Sequence, residues 1–190
     1  MKSLELQLRS WQKFYNRHFG LSLDTDNLKI PDYVRWFDLL LIVHEQMKFD
    51  HLLEFSRRLF QVRSVVRDLT VETSWDLEER STKELGTYVI WVRDSLNANP
   101  ETAFFSANGI KERGLKTETL TERLLHGSFV FETRQQYLDT RTTTACTGTR
   151  VRGNQIPNVR FSQRENLLTI WIDGPTCQFK RLRARTVHTL

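Results

Sequence analysis

The helical periodicity of this chain stops at Leu138, and the 49 residues over 142–190 constrain the fold more than anything before them. There the sequence breaks into short polar and apolar alternations punctuated by Gly, Pro and Asn, a pattern that suits strands. Four strands are expected, at 142–147, 158–163, 167–173 and 179–186. Spacing of this kind favours an antiparallel meander.

The preceding part alternates helix and strand signals. Ser3 is placed to cap a helix carrying Leu4, Leu8, Trp11, Tyr15 and Phe19 on one side, and Gly20 to end it. The apolar run 37–44 fits a buried strand or a buried helix by periodicity, with the β-branched Ile42 and Val43 favouring a central strand. Asp50 is the expected N-cap of a helix bearing Leu52, Phe55, Leu59 and Phe60. A strand is expected at 65–73, a loop at 75–86 and a strand at 87–93, the last dense in residues that suit a pleated surface. A helix interrupted by Gly109 is expected over 101–113, after Pro100. Thr119-Leu-Thr-Glu122 is a capping box opening a helix with Leu120, Leu124, Phe131 and Leu138 turned inward. Gly127 inside that helix predicts close approach of a neighbouring element. The expected class is α+β in a single domain, with helices packed on a mostly antiparallel sheet. Residues 1–141 supply a mixed scaffold and 142–190 the basic antiparallel strands.

Composition excludes a disordered chain: 39% of the 190 residues are hydrophobic, with twelve Phe and five Trp, enough apolar surface to offset ordering entropy. The longest uninterrupted apolar run, Leu39–Val43, is far short of a membrane span, and residues 1–9 lack a signal-peptide core, so a cytoplasmic location without membrane association is expected. Cys146 and Cys177 are too few for a disulfide framework or an unaided structural zinc site, and are expected to be free thiols.

Chemical motifs fail on spacing. His44-Glu45 resembles the start of a zinc-protease helix, but the second histidine would be needed at position 48, which is Lys48; His51 falls out of phase. Cys146-Thr-Gly-Thr-Arg150 separates thiol and guanidinium by three residues, where phosphate-cradling cysteine loops use five. Glu78 and Glu79 lie in a polar stretch with no partner defined by sequence. No catalytic residue, metal or cofactor is expected.

Charge is the remaining signal. The chain carries +5, yet residues 150–190 contain eight basic residues against two acids, a net of +6 that leaves −1 for the rest. Alternation along a strand over 179–186 puts Phe179, Arg181, Arg183 and Arg185 on one face and Lys180, Leu182, Ala184 and Thr186 on the other. The three guanidinium groups would form a row about 13 Å long. With Ile170 on the core side, Trp171 and Arg160 join that face, and Arg150, Arg152 and Arg164 complete the basic set. Arginine forks with an aromatic platform suit phosphates and unpaired bases. The reading is therefore a non-enzymatic protein contacting a nucleic acid or another polyanion, such as an acidic protein. The alternative is a protein- or ligand-binding module that uses loop 148–157, its arginines only solubilising.

Tyr88-Val-Ile-Trp-Val-Arg-Asp94, Ser106-Ala-Asn108, Thr119-Leu-Thr-Glu-Arg-Leu-Leu125, Cys146-Thr-Gly-Thr-Arg150, Ile156-Pro157 and Leu182-Arg-Ala-Arg185, together with Trp11-Gln-Lys-Phe-Tyr15 and Ile30-Pro31, resemble a family of small uncharacterised bacterial proteins. That resemblance covers most of the chain and implies no activity. The late sheet ending in an arginine-rich strand is also similar to the terminal region of C-type-lectin-like domains, which implies ligand binding.

Overall fold

The computed structural model describes residues 3–67 and 78–190. Helix α1 (Leu4–Phe19) begins where Ser3 Oγ accepts the amide of Leu6, and ends at Gly20 in the left-handed region at φ 65°. The Gly20 and Leu21 amides then satisfy the carbonyls of Asn16 and Tyr15. The ambiguous run becomes strand β1 (Leu39–Val43), buried along its whole length. Helix α2 (Phe49–Leu59) starts from Lys48 with no side-chain cap. Asp50 is therefore not the N-cap; it lies in the first turn, where its charge complements the exposed amides.

Strand β2 (Gln61–Ser64) precedes the position expected for it, because Gln61 is captured by the carbonyl of Asn166 and the strand then runs parallel to 167–170. Most of the expected strand at 65–73, and the first part of the expected loop at 75–86, lie outside the described residues. The end of that loop holds a single helical turn, α3 (Thr82–Leu85), before strand β3 (Tyr88–Val92). The helix expected over 101–113 is broken: Pro100–Thr102 forms a 3-10 turn, Phe104 adopts φ 65°, and α4 (Ala107–Glu112) restarts from Ser106, whose Oγ accepts the amide of Gly109.

Helix α5 (Leu120–Arg134) carries the capping box, with Thr119 Oγ1 accepting the Glu122 amide at 3.1 Å and Glu122 Oε2 accepting the Thr119 amide at 2.8 Å. Leu138 lies beyond its end. The close approach at Gly127 comes from the helix itself: a Cβ there would lie 2.6 Å from Nη1 of Arg123, one turn earlier. Strands β4 (Thr143–Ala145), β5 (Ile156–Ser162), β6 (Leu167–Asp173), β7 (Leu182–Arg183) and β8 (Val187–His188) complete the chain.

These strands make two sheets, β1-β3-β8 and β2-β6-β5-β4-β7. Strands β4, β5 and β6 succeed one another antiparallel, but the expected four-stranded meander is not completed. β7 returns to the far side of β4 in parallel, and the chain leaves at once for the other sheet as β8. The protein is a single-domain α+β fold whose main apolar cluster joins α1, α2 and α5 to both sheets. Trp11 stacks on Phe129 at 3.8 Å between ring centres, and Tyr137 on Phe161 at 4.1 Å.

β1 is an edge strand, and α1 covers that edge. Gln7, Trp11 and Tyr15 recur every four residues on one helix face, so they meet consecutive exposed backbone groups: Gln7 Oε1 accepts the Leu40 amide, Trp11 Nε1 donates to the Leu40 carbonyl and the Tyr15 hydroxyl to that of Ile42. No helix among the described residues is long and apolar enough to cross a membrane.

Candidate polyanion-binding surface

The register of the five-stranded sheet defines its two faces. Ser64, Ile170, Val159, Thr144 and Arg183 are neighbours across one face, which packs on the helices. Arg63, Thr169, Arg160, Thr143 and Leu182 are neighbours across the other. The second face is covered at one end, where Ala107 of α4 packs on Ala145, Ile156 and Leu182. Toward β2 it opens, with Arg63 exposed and Arg160, Thr169 and Trp171 half-buried.

Arg160 and Trp171 do share the open face, as the alternation within β5 and β6 indicates. The row Arg181, Arg183 and Arg185 does not exist. Only two residues of 179–186 are strand, and Leu182, expected on the core side, lies instead on the face of Arg160. Arg181 is exposed ahead of β7, while Arg183 is half-buried on the helix-facing side with its Nε unpartnered among the described residues. Arg185 is 2% exposed. Its Nη1 donates to the Ser95 carbonyl at 2.8 Å, Nη2 to the Leu96 carbonyl at 3.0 Å and to Asp139 Oδ1 at 2.8 Å, and Nε to Thr144 Oγ1 at 3.2 Å. Arg185 is thus a structural group, excluded from any solvent-facing site. The remaining sequence candidates scatter. Arg150 Nη1 donates to the carbonyls of Thr147 and Thr149 and braces its own turn; Arg152 is exposed in a 3-10 turn, and Arg164 in the β5–β6 hairpin.

Sequence reasoning missed Arg63, because the residue pattern places the strand further along the chain. Arg63 and Arg160 flank Thr169, putting their Cα atoms about 10 Å apart at two inter-strand spacings. Neither guanidinium has a hydrogen bond or ion pair among the described residues, and Arg160 Nε is shielded from solvent without an acceptor. Trp171, two residues along β6 from Thr169, is held in place by its indole N–H, which donates to Asp173 Oδ2 at 2.9 Å. Asn158 Nδ2 donates to the same oxygen at 2.8 Å, so Asp173 is occupied by neutral donors and pairs with neither arginine.

Sequence reasoning also missed a buried polar network along α5. Glu118, Glu122, Arg123 and His126 are each at most 2% exposed. Glu122 receives Arg80 through Nε at 2.7 Å and Nη2 at 2.8 Å, and the Tyr88 hydroxyl at 3.1 Å. Glu118 Oε1 lies 2.7 Å from His126 Nδ1; burial lowers the imidazole pKa against the opposing pull of Glu118. Arg123 and Arg185 converge on Asp139. Burial alone would raise that carboxyl, but the two guanidinium groups hold it well below the usual carboxylate range. Glu78 Oε1 accepts the Thr121 amide at 2.9 Å, and burial pushes its pKa up to about 7. The one legible signal was the spacing of Glu122, Arg123 and His126 on a helix whose apolar residues also face inward, with Glu118 just ahead of its N-cap.

Cys146 is buried with its thiol pushed further up by that burial, and Cys177 is unbridged, so the 146–150 turn offers no thiolate. Gly148 fits that turn against the start of α5, where a Cβ would lie 2.8 Å from the Thr117 carbonyl. Among the described residues no group of three or more His, Cys, Asp and Glu side chains is arranged to hold a metal.

Fold and surface together define an α+β protein whose helices share one apolar cluster with two sheets and whose larger sheet has an open face carrying unpaired arginines and a fixed tryptophan. No protein-family model, no curated protein and no solved structure matches the chain.

Proposed function

We propose that the protein binds a single-stranded nucleic acid on the open face of its five-stranded sheet. The observation that carries this reading is the pair of unneutralised guanidinium groups, Arg63 and Arg160, flanking Thr169 beside Trp171. Guanidinium forks match phosphate oxygens in two-point contacts, and a tryptophan fixed on a sheet offers a π-face to any base. A duplex presents stacked bases that such a platform does not reach, which favours the single strand. Arg164 in the adjoining hairpin extends the basic track, whereas Arg185 belongs to the interior.

Fluorescence anisotropy with a labelled oligo(dT) or oligo(U) tests this directly. Saturable binding at low salt is expected, with affinity falling as salt rises through counterion release. The double change Arg63→Gln and Arg160→Gln is expected to reduce the log–log salt slope by about 1.4, at roughly 0.7 per lost phosphate contact. No binding at low salt, or an unchanged slope in the double variant, overturns the proposal.

A further inference from the structure

A cavity of about 720 Å³ opens at the far end of the three-stranded sheet and shares no residue with the open face of the five-stranded one. It is bounded by the α1–β1 connection, α3, the start of β3, the α4–α5 connection and residues 189–190. Its size lies within the range of about 300–1,000 Å³ usual for small-molecule sites.

The cavity contains a preorganised cation. Arg80 lines it, yet is only 6% exposed. Two of its nitrogens are committed: Nε and Nη2 grip Glu122, and Nη2 also donates to the Thr117 carbonyl. Glu122 is fixed in turn by the Thr119 amide and the Tyr88 hydroxyl. Among the described residues Nη1 makes no hydrogen bond; the acid paired with it is Glu79, whose Oε2 stands 4.0 Å away. An anionic group entering the cavity therefore meets a guanidinium already held in place by a buried carboxylate, with Nη1 as the nitrogen that makes no hydrogen bond among the described residues.

Charge balance selects the kind of ligand. Behind the wall, Glu122 already offsets the charge of Arg80. On the exposed rim Lys29 and Lys116 are matched by Glu79 and Glu84. A site without net positive charge is poorly suited to a phosphate dianion, whereas separate cationic and anionic groups suit a ligand that carries both signs. Leu85 and Val89 supply an apolar stretch of wall. We infer that this cavity binds a small amphoteric amino carboxylate, an apolar amino acid or short peptide, with its carboxylate on Arg80 Nη1 and Lys116 and its ammonium toward Glu79 and Glu84.

The test is a titration of the full chain followed by NMR, with L-leucine and glycyl-L-leucine as probes and acetate, isobutylamine and inorganic phosphate as controls. Saturable shifts at the amides of Thr87, Tyr88 and Val89 are expected from at least one amphoteric probe, with each control binding at least about tenfold more weakly, the worth of one charge-assisted hydrogen bond. Because Arg80 anchors a buried acid, the variant to use is the exposed Lys116→Gln, expected to weaken the probe about five- to tenfold while the fold is retained. No saturable response to either amphoteric probe, phosphate binding as tightly as leucine, or unchanged affinity in Lys116→Gln overturns the inference.

Discussion

Arg185 and Asp139 face each other at 2.8 Å between Nη2 and Oδ1, in an interior where both side chains are at most 3% exposed, and Arg123 closes on the other carboxylate oxygen at 2.7 Å. The three groups join the β7–β8 crossover, the connection after α5 and α5 itself. Thr142 and Thr144 donate to the same carboxylate. Removing the acid leaves two guanidinium groups buried without their counter-ion, so Asp139→Ala is expected to cost about 3–5 kcal/mol. The exposed Arg181→Gln is expected to change stability by less than about 0.5 kcal/mol. Urea denaturation of both variants checks the contrast.

Glu78 gives a pH signature of known sign. Its folded-state pKa of about 7 lies above the ordinary glutamate value of 4.5, so the folded protein holds more protons than the unfolded chain between those values. Its contribution is most favourable below pH 4.5, declines as pH rises to about 7 and is flat beyond. Glu78→Gln is expected to stabilise the protein at pH 8 by on the order of 1–2 kcal/mol and to be nearly neutral at about pH 4.5. His18 and His126, both with lowered pKa values, act in the opposite sense, so the quantity to measure is the difference between variant and parent across about pH 4.5–8.

Asp139 acts in a separate window. Its folded-state pKa lies below the unfolded value, so its stabilisation is complete above that value and is lost as pH falls through the folded one. Acid unfolding below about pH 4 is expected to be shallower in Asp139→Asn than in the parent, although the variant is less stable at about pH 7. Circular dichroism during an acid titration reads this difference.

Gly148 sits where the turn after β4 presses on the Thr117 carbonyl, and a methyl group there meets backbone at 2.8 Å. Gly148→Ala is expected to destabilise by about 1–3 kcal/mol. Gly174, which has open space around it and lies in an exposed turn, is the control, with Gly174→Ala expected to be close to neutral. Thermal melting of the pair reads the contrast.

Trp171 separates stacking from charge on the open sheet face. Trp171→Ala is expected to weaken single-strand binding about tenfold, equivalent to the loss of one stacked base, while leaving the salt slope unchanged. Anisotropy titrations at several salt concentrations distinguish this from the effect of the arginine changes.

Much of the fold was legible in local pattern. The caps of α1, the capping box of α5, the buried β3 and the hairpin β5–β6 arise from residues within a few positions of one another, so near-neighbour chemistry specifies them. The pairing of Arg160 with Trp171 on one face was equally legible, because both lie inside continuous strands whose alternation holds. Arg181, Arg183 and Arg185 were misplaced because alternation assigns faces only while a strand continues. Here the Ala184 carbonyl is taken by Asn99 and Thr102 and the Arg185 carbonyl by Glu118, partners tens of residues away that draw the chain out of one sheet and toward the other. Arg63 was missed for a related reason: the start of β2 is set by the Asn166 carbonyl, a long-range bond without a local signal. Local residue chemistry was enough to specify most of the elements, several of their caps and the excess of positive charge near the end of the chain. Which of those charges face solvent emerged from tertiary packing, because a guanidinium is buried only where distant carbonyls and a carboxylate converge to receive it.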